Sequence, residues 1–243
     1  HGVKQIILSL TNGTQAMFGN MLAKRESENI NRYFSLFEWI MHTVVTLAFS
    51  MTAVLIVPFI SVYTKGINDV NYNVPIFAYL ITFAYAIYCI RVPYNTMVLA
   101  AGHYKQTQTS SMIEAGLNIT ISVIAVFFFG LAGVAAGTLA AMLYRTVYLA
   151  IYLSKNIVNR KITHFIKHLV IDILSVLVFI GFVFIFSDFY AMSSVSYIGW
   201  IIAAMKVGIT FCVLAIPINL MFYSSNIKLL LAKARNRIKN KKQ

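Results

Sequence analysis

Long, mainly apolar runs alternate with short polar connections along this chain. Six runs are complete: residues 38–63, 75–99, 110–130, 133–153, 168–187 and 197–223. A bilayer-spanning helix needs about 20 predominantly apolar residues. The runs are too long for barrel strands, and they do not alternate with a two-residue period. A seventh segment, residues 1–22, is only weakly apolar and reads as the end of a truncated transmembrane helix. Its Gln5, Ser9, Asn12, Ala16 and Gly19 recur at helical spacing, predicting one small, polar face. Such a face either packs closely on a neighbour or walls a cavity. Lys4 is expected at the outer interface, about 27 Å along the axis from Leu22. The pattern predicts an all-α integral membrane protein: a polytopic bundle of six complete transmembrane helices plus a truncated N-terminal one. It divides into residues 1–22, four helices within 23–153, two further helices within 154–223, and a basic tail at 224–243.

The polar residues inside the apolar runs matter most, because a charge at mid-bilayer costs about 3 kcal/mol on insertion scales. Tyr88, Arg91 and Asn95 form one polar stripe on the 75–99 helix. Ser111, Glu114, Asn118 and Ser122 form another on the next helix. The turn Gly130-Leu131-Ala132-Gly133 predicts an antiparallel hairpin. Beyond it, Gly133, Gly137 and Ala141 make a small-residue stripe that lets helices approach closely, and Arg145 continues it. Arg91 and Arg145 fall about 12–15 Å from the same end of their helices. The expectation is a layer of Arg91, Glu114 and Arg145 in one half of the bundle, either a site or a structural Arg145–Glu114 pair. His42 reads as a hydrogen-bonded interface residue, Asp172 as a surface residue beside Lys167 and His168, and Lys206 as facing either lipid or bundle.

Composition agrees with the pattern. The chain is 59% hydrophobic and 11% charged, whereas soluble domains carry about 25% charged residues. The net charge of +13 would suit a nucleic-acid binder, but its placement does not. Fifteen of the Lys and Arg residues fall in alternate connections and the tail, against Lys65 alone in the opposite set. This asymmetry predicts that the basic connections and the C-terminus are cytoplasmic. The tail, with Lys233, Arg235, Arg237, Lys239, Lys241 and Lys242, reads as an anchor for anionic membrane lipids. Cys89 and Cys212 lie far apart in apolar runs and read as small buried residues without a disulfide. The sequence has no phosphate-binding G-x-x-x-x-G-K-[ST] loop, no H-E-x-x-H and no G-x-S-x-G. Its loops are too short to hold a sugar nucleotide and a cation. No catalytic residue, metal ligand or cofactor is expected, and the chain is read as a non-enzyme.

Several short stretches carry a family resemblance. They are Gly19-Asn20-Met21-Leu22-Ala23-Lys24-Arg25-Glu26, Pro93-Tyr94-Asn95, Ala101-Gly102-His103-Tyr104-Lys105-Gln106-Thr107-Gln108, Glu114-Ala115-Gly116-Leu117-Asn118-Ile119 and Gly130 to Thr138. Together they resemble the polysaccharide (O-antigen and capsule repeat-unit) flippases of the MOP exporter superfamily, over the C-terminal half of such a protein. The resemblance implies the second lobe of a MATE/MOP-like transporter in a bacterial plasma membrane, working by alternating access. It implies an undecaprenyl-pyrophosphate-linked oligosaccharide as cargo, with the polymerase and other surface-polysaccharide assembly proteins as partners. Arg91 and Arg145 suit the pyrophosphate, because Arg presents a permanently charged planar fork to phosphate oxygens. Gln5, Asn12, Asn95 and Asn118 suit sugar hydroxyls, and Glu114 suits an ion carrier or charge partner. Two alternatives fit the same pattern: a cation-coupled drug antiporter of the related multidrug branch, and a membrane-embedded polysaccharide-modifying enzyme.

Overall fold

In the computed structural model, residues 2–67, 69, 72–192 and 194–230 are described. The basic residues of the tail from Lys233 onward lie outside the described residues. Six helices are long and apolar enough to cross a membrane: α3 (Ser27–Tyr63), α4 (Pro75–Ala100), α5 (Tyr104–Phe129), α6 (Leu131–Asn156), α7 (Thr163–Ile185) and α9 (Tyr197–Phe222). Three short helices accompany them: α1 (Gly2–Ser9), α2 (Thr14–Ala23) and α8 (Ser187–Tyr190). There is no strand among the described residues. The chain is a helical, multi-pass membrane protein.

The helices pack as a row. The α5–α6 hairpin packs through α6 onto α4, α4 packs onto α3, and α3 meets both α7 and α9. Helices α1 and α2 lie against α3 and α4. The main core gathers Phe18, Phe34, Met41, Tyr94, Met97, Leu149 and Phe165, bringing α2, α3, α4, α6 and α7 together. A second core joins α3, α7 and α9 through Leu55, Phe179, Val207 and Phe211.

Helix ends depart from the apolar runs in a consistent direction. Helix α3 begins at Ser27 rather than at residue 38, α5 at Tyr104 rather than 110, and α7 at Thr163 rather than 168. Apolar runs mark the hydrocarbon region, while the helices continue into the polar interface, where water satisfies their side chains. In α3 the extension is amphipathic: Ile30, Phe34 and Leu36 are buried, and Glu28, Asn29, Asn31 and Arg32 are exposed.

The N-terminal segment is not one helix. It breaks at Leu10–Gly13, where Gly13 adopts φ +80°. A left-handed residue ends a helix cheaply only when it is Gly. The hydroxyls of Ser9, Thr11 and Thr14 donate to carbonyls three residues back, the local bonding by which Ser and Thr compete with helix continuation. The polar face of this segment points away from the bundle: Gln5, Ser9, Asn12 and Ala16 are exposed, while Ile7 and Phe18 are buried. Only Gly19 at its far end packs, half-buried with the Ala100 carbonyl of α4 beside it.

The α5–α6 hairpin is held by close approach at small residues. A Cβ on Gly133 would collide with the backbone carbonyl of Ala125, and one on Gly137 with the backbone of Ser122. Neither obstacle can swing aside. Gly137→Val is therefore expected to cost about 1–3 kcal/mol and to loosen α5 from α6. Weaker crosslinking between cysteines placed across the hairpin would report it; unchanged crosslinking and stability would count against this packing.

Several single residues also find their places. Lys206 turns toward the end of α8, donating to the Phe189 carbonyl at 2.9 Å with its ammonium over the Phe189 ring. Cys89 is buried as expected, but Cys212 is exposed on α9.

Candidate functional site

Arg91, Glu114 and Arg145 meet. The Arg91 Nη1 donates to Glu114 Oε1 at 2.6 Å, and the Arg145 Nη1 donates to Glu114 Oε2 at 2.8 Å. Three helices contribute one residue each, and α6 brings Arg145 there on the stripe whose Gly133, Gly137 and Ala141 are buried. The Arg91 side chain is 9% exposed, against 18% for Glu114 and 19% for Arg145. The Arg91 guanidinium also lies over the Tyr88 ring, 4.7 Å from its centroid.

Lys4 joins this cluster instead of reaching the outer interface. Its ammonium sits 3.8 Å from the Tyr88 centroid and 5.4 Å from that of Tyr85. The break after Ser9 makes α1 a separate short helix that lies against α4, which brings Lys4 to this level. Lys4 and Arg91 thus share the Tyr88 ring, and Arg91 and Arg145 share the Glu114 carboxylate, so two guanidinium groups meet one carboxylate with an ammonium on the neighbouring ring. The Arg145 Nε is buried without a hydrogen-bond partner. Arg91 is about 14 Å by helical rise from the end of α4 at Ala100. This cluster can hold an anion: it has donors, surplus charge, and low-dielectric surroundings that strengthen both.

The polar candidates divide. Asn95 is half-buried one turn beyond Arg91 on α4. Asn118 is half-buried one turn beyond Glu114, but its side-chain oxygen already accepts from Ser122 and Thr138 and fastens the hairpin. Gln5 and Asn12 stand on the exposed face of α1 and the break that follows it.

A second polar cluster was not expected from the sequence. Glu38 is fully buried, and its Oε1 accepts from the Tyr94 hydroxyl and the Arg160 Nη2, each at 2.5 Å. Its Oε2 lies 3.4 Å from His168 Nε2. The His168 Nδ1 is 2.7 Å from the Tyr223 hydroxyl. Tyr223 follows the last spanning helix; burial first, then the nearby Asp172 and Glu38 charges, raises its phenol above the ordinary range. It stays protonated, so its hydroxyl is able to donate to the His168 Nδ1. His42 bridges Asp172 (Nδ1 to Oδ2, 2.5 Å) and the Tyr94 hydroxyl (Nε2, 3.2 Å), and stacks on His168 at 4.9 Å.

Asp172 is therefore the partner of His42 rather than a surface residue. Close by, Trp39 Nε1 and Thr43 Oγ1 both donate to Asn219 Oδ1, tying α3 to α9. The available signal was spacing: Glu38 and His42 are four apart on α3, as are His168 and Asp172 on α7, so each pair shares a helix face. No group of three or more His, Cys, Asp or Glu able to hold a metal ion occurs among the described residues. No protein-family model matches the chain, and no curated protein matches it.

Proposed function

We propose that this chain is one lobe of a transporter that carries an anionic, lipid-linked saccharide across a bacterial plasma membrane by alternating access. The observation that carries the reading is the pair Arg91 and Arg145 on the single carboxylate of Glu114, with Lys4 over the same Tyr88 ring as Arg91, so that positive charge exceeds negative within the spanning helices. Cationic charge is expensive in a bilayer, and where it occurs it faces a bundle interior or a water-filled cavity and marks a functional site. The ligand it suits is a pyrophosphate whose saccharide bears hydroxyls and whose lipid stays in the bilayer. On this reading Arg145 and Arg91 hold the pyrophosphate, with Lys4 as a point charge beside them. Glu114 holds both guanidinium groups in place between turnovers. Asn95, and Gln5 and Asn12 on the outward face, contact sugar hydroxyls, and the Asn118 amide N–H groups do the same while its oxygen holds the hairpin. The exposed polar face of α1 and its break would border a cavity shared with a second lobe. The basic connections and the C-terminus face the cytoplasm, following the asymmetry of Lys and Arg. The resemblance to the repeat-unit flippases of the MOP superfamily points the same way.

The test uses a bacterial strain lacking its own repeat-unit flippase, supplied with the full-length transporter gene that includes both lobes. Lipid-linked oligosaccharide reaching the outer leaflet is quantified for wild type, Arg91→Ala and Arg145→Ala. The expected result is flipping that both substitutions abolish at normal expression. Flipping indifferent to both would remove the headgroup role, and export of small cations with no lipid flipped would favour an antiporter.

A further inference from the structure

We propose that Asp172, His42, Tyr94 and Glu38 form a proton-binding site that couples transport to the proton gradient. The coupling half of this statement rests on the transport reading; the proton-binding half does not. Glu114 is poorly placed for the task, because each of its oxygens is already held by a guanidinium.

The argument is a count of hydrogens. The four groups make three successive contacts: Asp172 to His42, His42 to Tyr94, and Tyr94 to Glu38. Each needs one hydrogen between its two heavy atoms. The chain ends in a carboxylate on both sides, and an ionised carboxylate only accepts. Tyr94 brings one hydrogen and a neutral imidazole brings one more. Three contacts with two hydrogens leave one contact unmade, and a third hydrogen completes all three, including the 3.2 Å contact between His42 and Tyr94. That hydrogen is an exchangeable proton, held as an imidazolium on His42 or as a carboxylic acid on Asp172.

The surroundings accommodate it without excess charge. Facing His42 are Glu38 on its own helix, Tyr94 from α4, His168 and Asp172 from α7, Arg160 from the connection before α7, and Tyr223 after α9. Arg160 balances Glu38, and the third proton balances Asp172. His42 itself is 1% exposed, while the Asp172 side chain is 13% exposed. Beside Asp172, Thr43, Thr46, Ser175 and Asn219 line a narrow cavity with room for about one water. The proton therefore enters and leaves through Asp172.

Its loss has a mechanical consequence. The proton passes to water, and with two hydrogens left one contact must break. His42 releases Asp172, which loosens α7 from α3, or Tyr94 turns its hydrogen from Glu38 to His42, which loosens α4 from Glu38, or the His42–Tyr94 contact, the longest of the three at 3.2 Å, opens. Tyr94 lies one turn from Arg91 on α4, with Pro93 between them removing a backbone donor at that point. A change at Tyr94 is thus passed to the helix that carries Arg91. Such a two-state element is what coupling between two sites requires.

The test uses the full chain in lipid nanodiscs with histidine labelled in its ring nitrogens and aspartate in its carboxyl carbon. From about pH 5 to pH 9, His42 is followed by nitrogen magnetic resonance and Asp172 by infrared absorption, each assigned by substitution. The expected result is one proton, on the His42 ring or the Asp172 carboxyl, lost on alkalinisation together with one of the three contacts. His42 neutral and Asp172 ionised throughout would overturn the site. Asp172→Asn gives an independent arm, because its amide supplies the third hydrogen permanently. Its Tm should not fall at alkaline pH as the wild-type Tm does, and its flipping should lose the response to an imposed pH gradient. An unaltered response would overturn the coupling. If no lipid is flipped by the wild type, the transport reading falls, and the spectra alone then sustain or overturn the proton site.

Discussion

Glu38→Ala is expected to destabilise the protein more than any other single truncation in the bundle, by about 3–5 kcal/mol. Glu38 is fully buried and accepts from Tyr94 and Arg160, with His168 alongside. Alanine leaves the Arg160 guanidinium uncompensated, 11% exposed and with its Nε already unpartnered. The cost comes mostly from that stranded charge, since hydrogen bonds between helices in membranes contribute only about 0.6 kcal/mol on average. This origin makes a second expectation. Removing Arg160 as well, in Glu38→Ala with Arg160→Met, should recover much of the loss, giving a coupling energy well above about 0.5 kcal/mol. Glu38→Gln, which keeps an acceptor oxygen but loses the charge, should fall between. Equilibrium unfolding in mixed micelles measures all three. A loss below about 1 kcal/mol for alanine, or strictly additive effects, would mean that the network contributes little to holding α3, α4 and α7 together.

Arg145→Ala should weaken binding of a short-chain polyprenyl pyrophosphate by about 10- to 150-fold, the loss of a charged hydrogen bond of about 1.5–3 kcal/mol. Arg145 is the more available of the two arginines: it is 19% exposed against 9% for Arg91, and its Nε has no partner. Arg91, stacked on Tyr88, should lose both affinity and stability on truncation. Lysine at 145 should restore only part of the binding, because a point charge cannot replace a planar fork. Glu114→Gln supplies the opposite sign. It releases both guanidinium groups from a competing carboxylate, so binding should tighten while release slows. Titration of the lipid into the protein in nanodiscs reads all four variants. Affinities that move in one direction only, or not at all, would reduce the cluster to a structural ion-pair triad.

The extent of the spanning helices and the Arg91–Glu114–Arg145 meeting were legible from one dimension, and both for local reasons. An apolar run of bilayer length has few alternatives to a helix. The tight Gly130–Gly133 turn and the stripe at Gly133, Gly137 and Ala141 fix the α5–α6 hairpin and aim Arg145 inward. Arg91 then meets them because α6 packs on α4 at a similar depth. Helix ends were less legible, since Ser27–Phe37 and Tyr104–Thr109 are polar enough to read as loops while their backbones stay helical.

The Glu38 network lay beyond sequence reading. Its members come from α3, α4, the connection carrying Arg160, α7 and the residue after α9, and meet across as many as 130 positions, where His42 contacts Asp172. Each taken alone has an ordinary explanation at a membrane surface, which is how His42 and Asp172 were read. The sequence by itself determined a helical multi-pass membrane protein with a basic side and two arginines buried in its helices, because hydropathy, turn chemistry and charge placement act over a few residues. Only the tertiary structure decided that α1 carries Lys4 to Tyr88 and that Glu38 is the buried hub. It alone decided that two carboxylates, Asp172 and Glu38, are joined through His42 and Tyr94. Those outcomes depend on which helix faces meet, and that is set by the packing of the whole bundle rather than by any one segment.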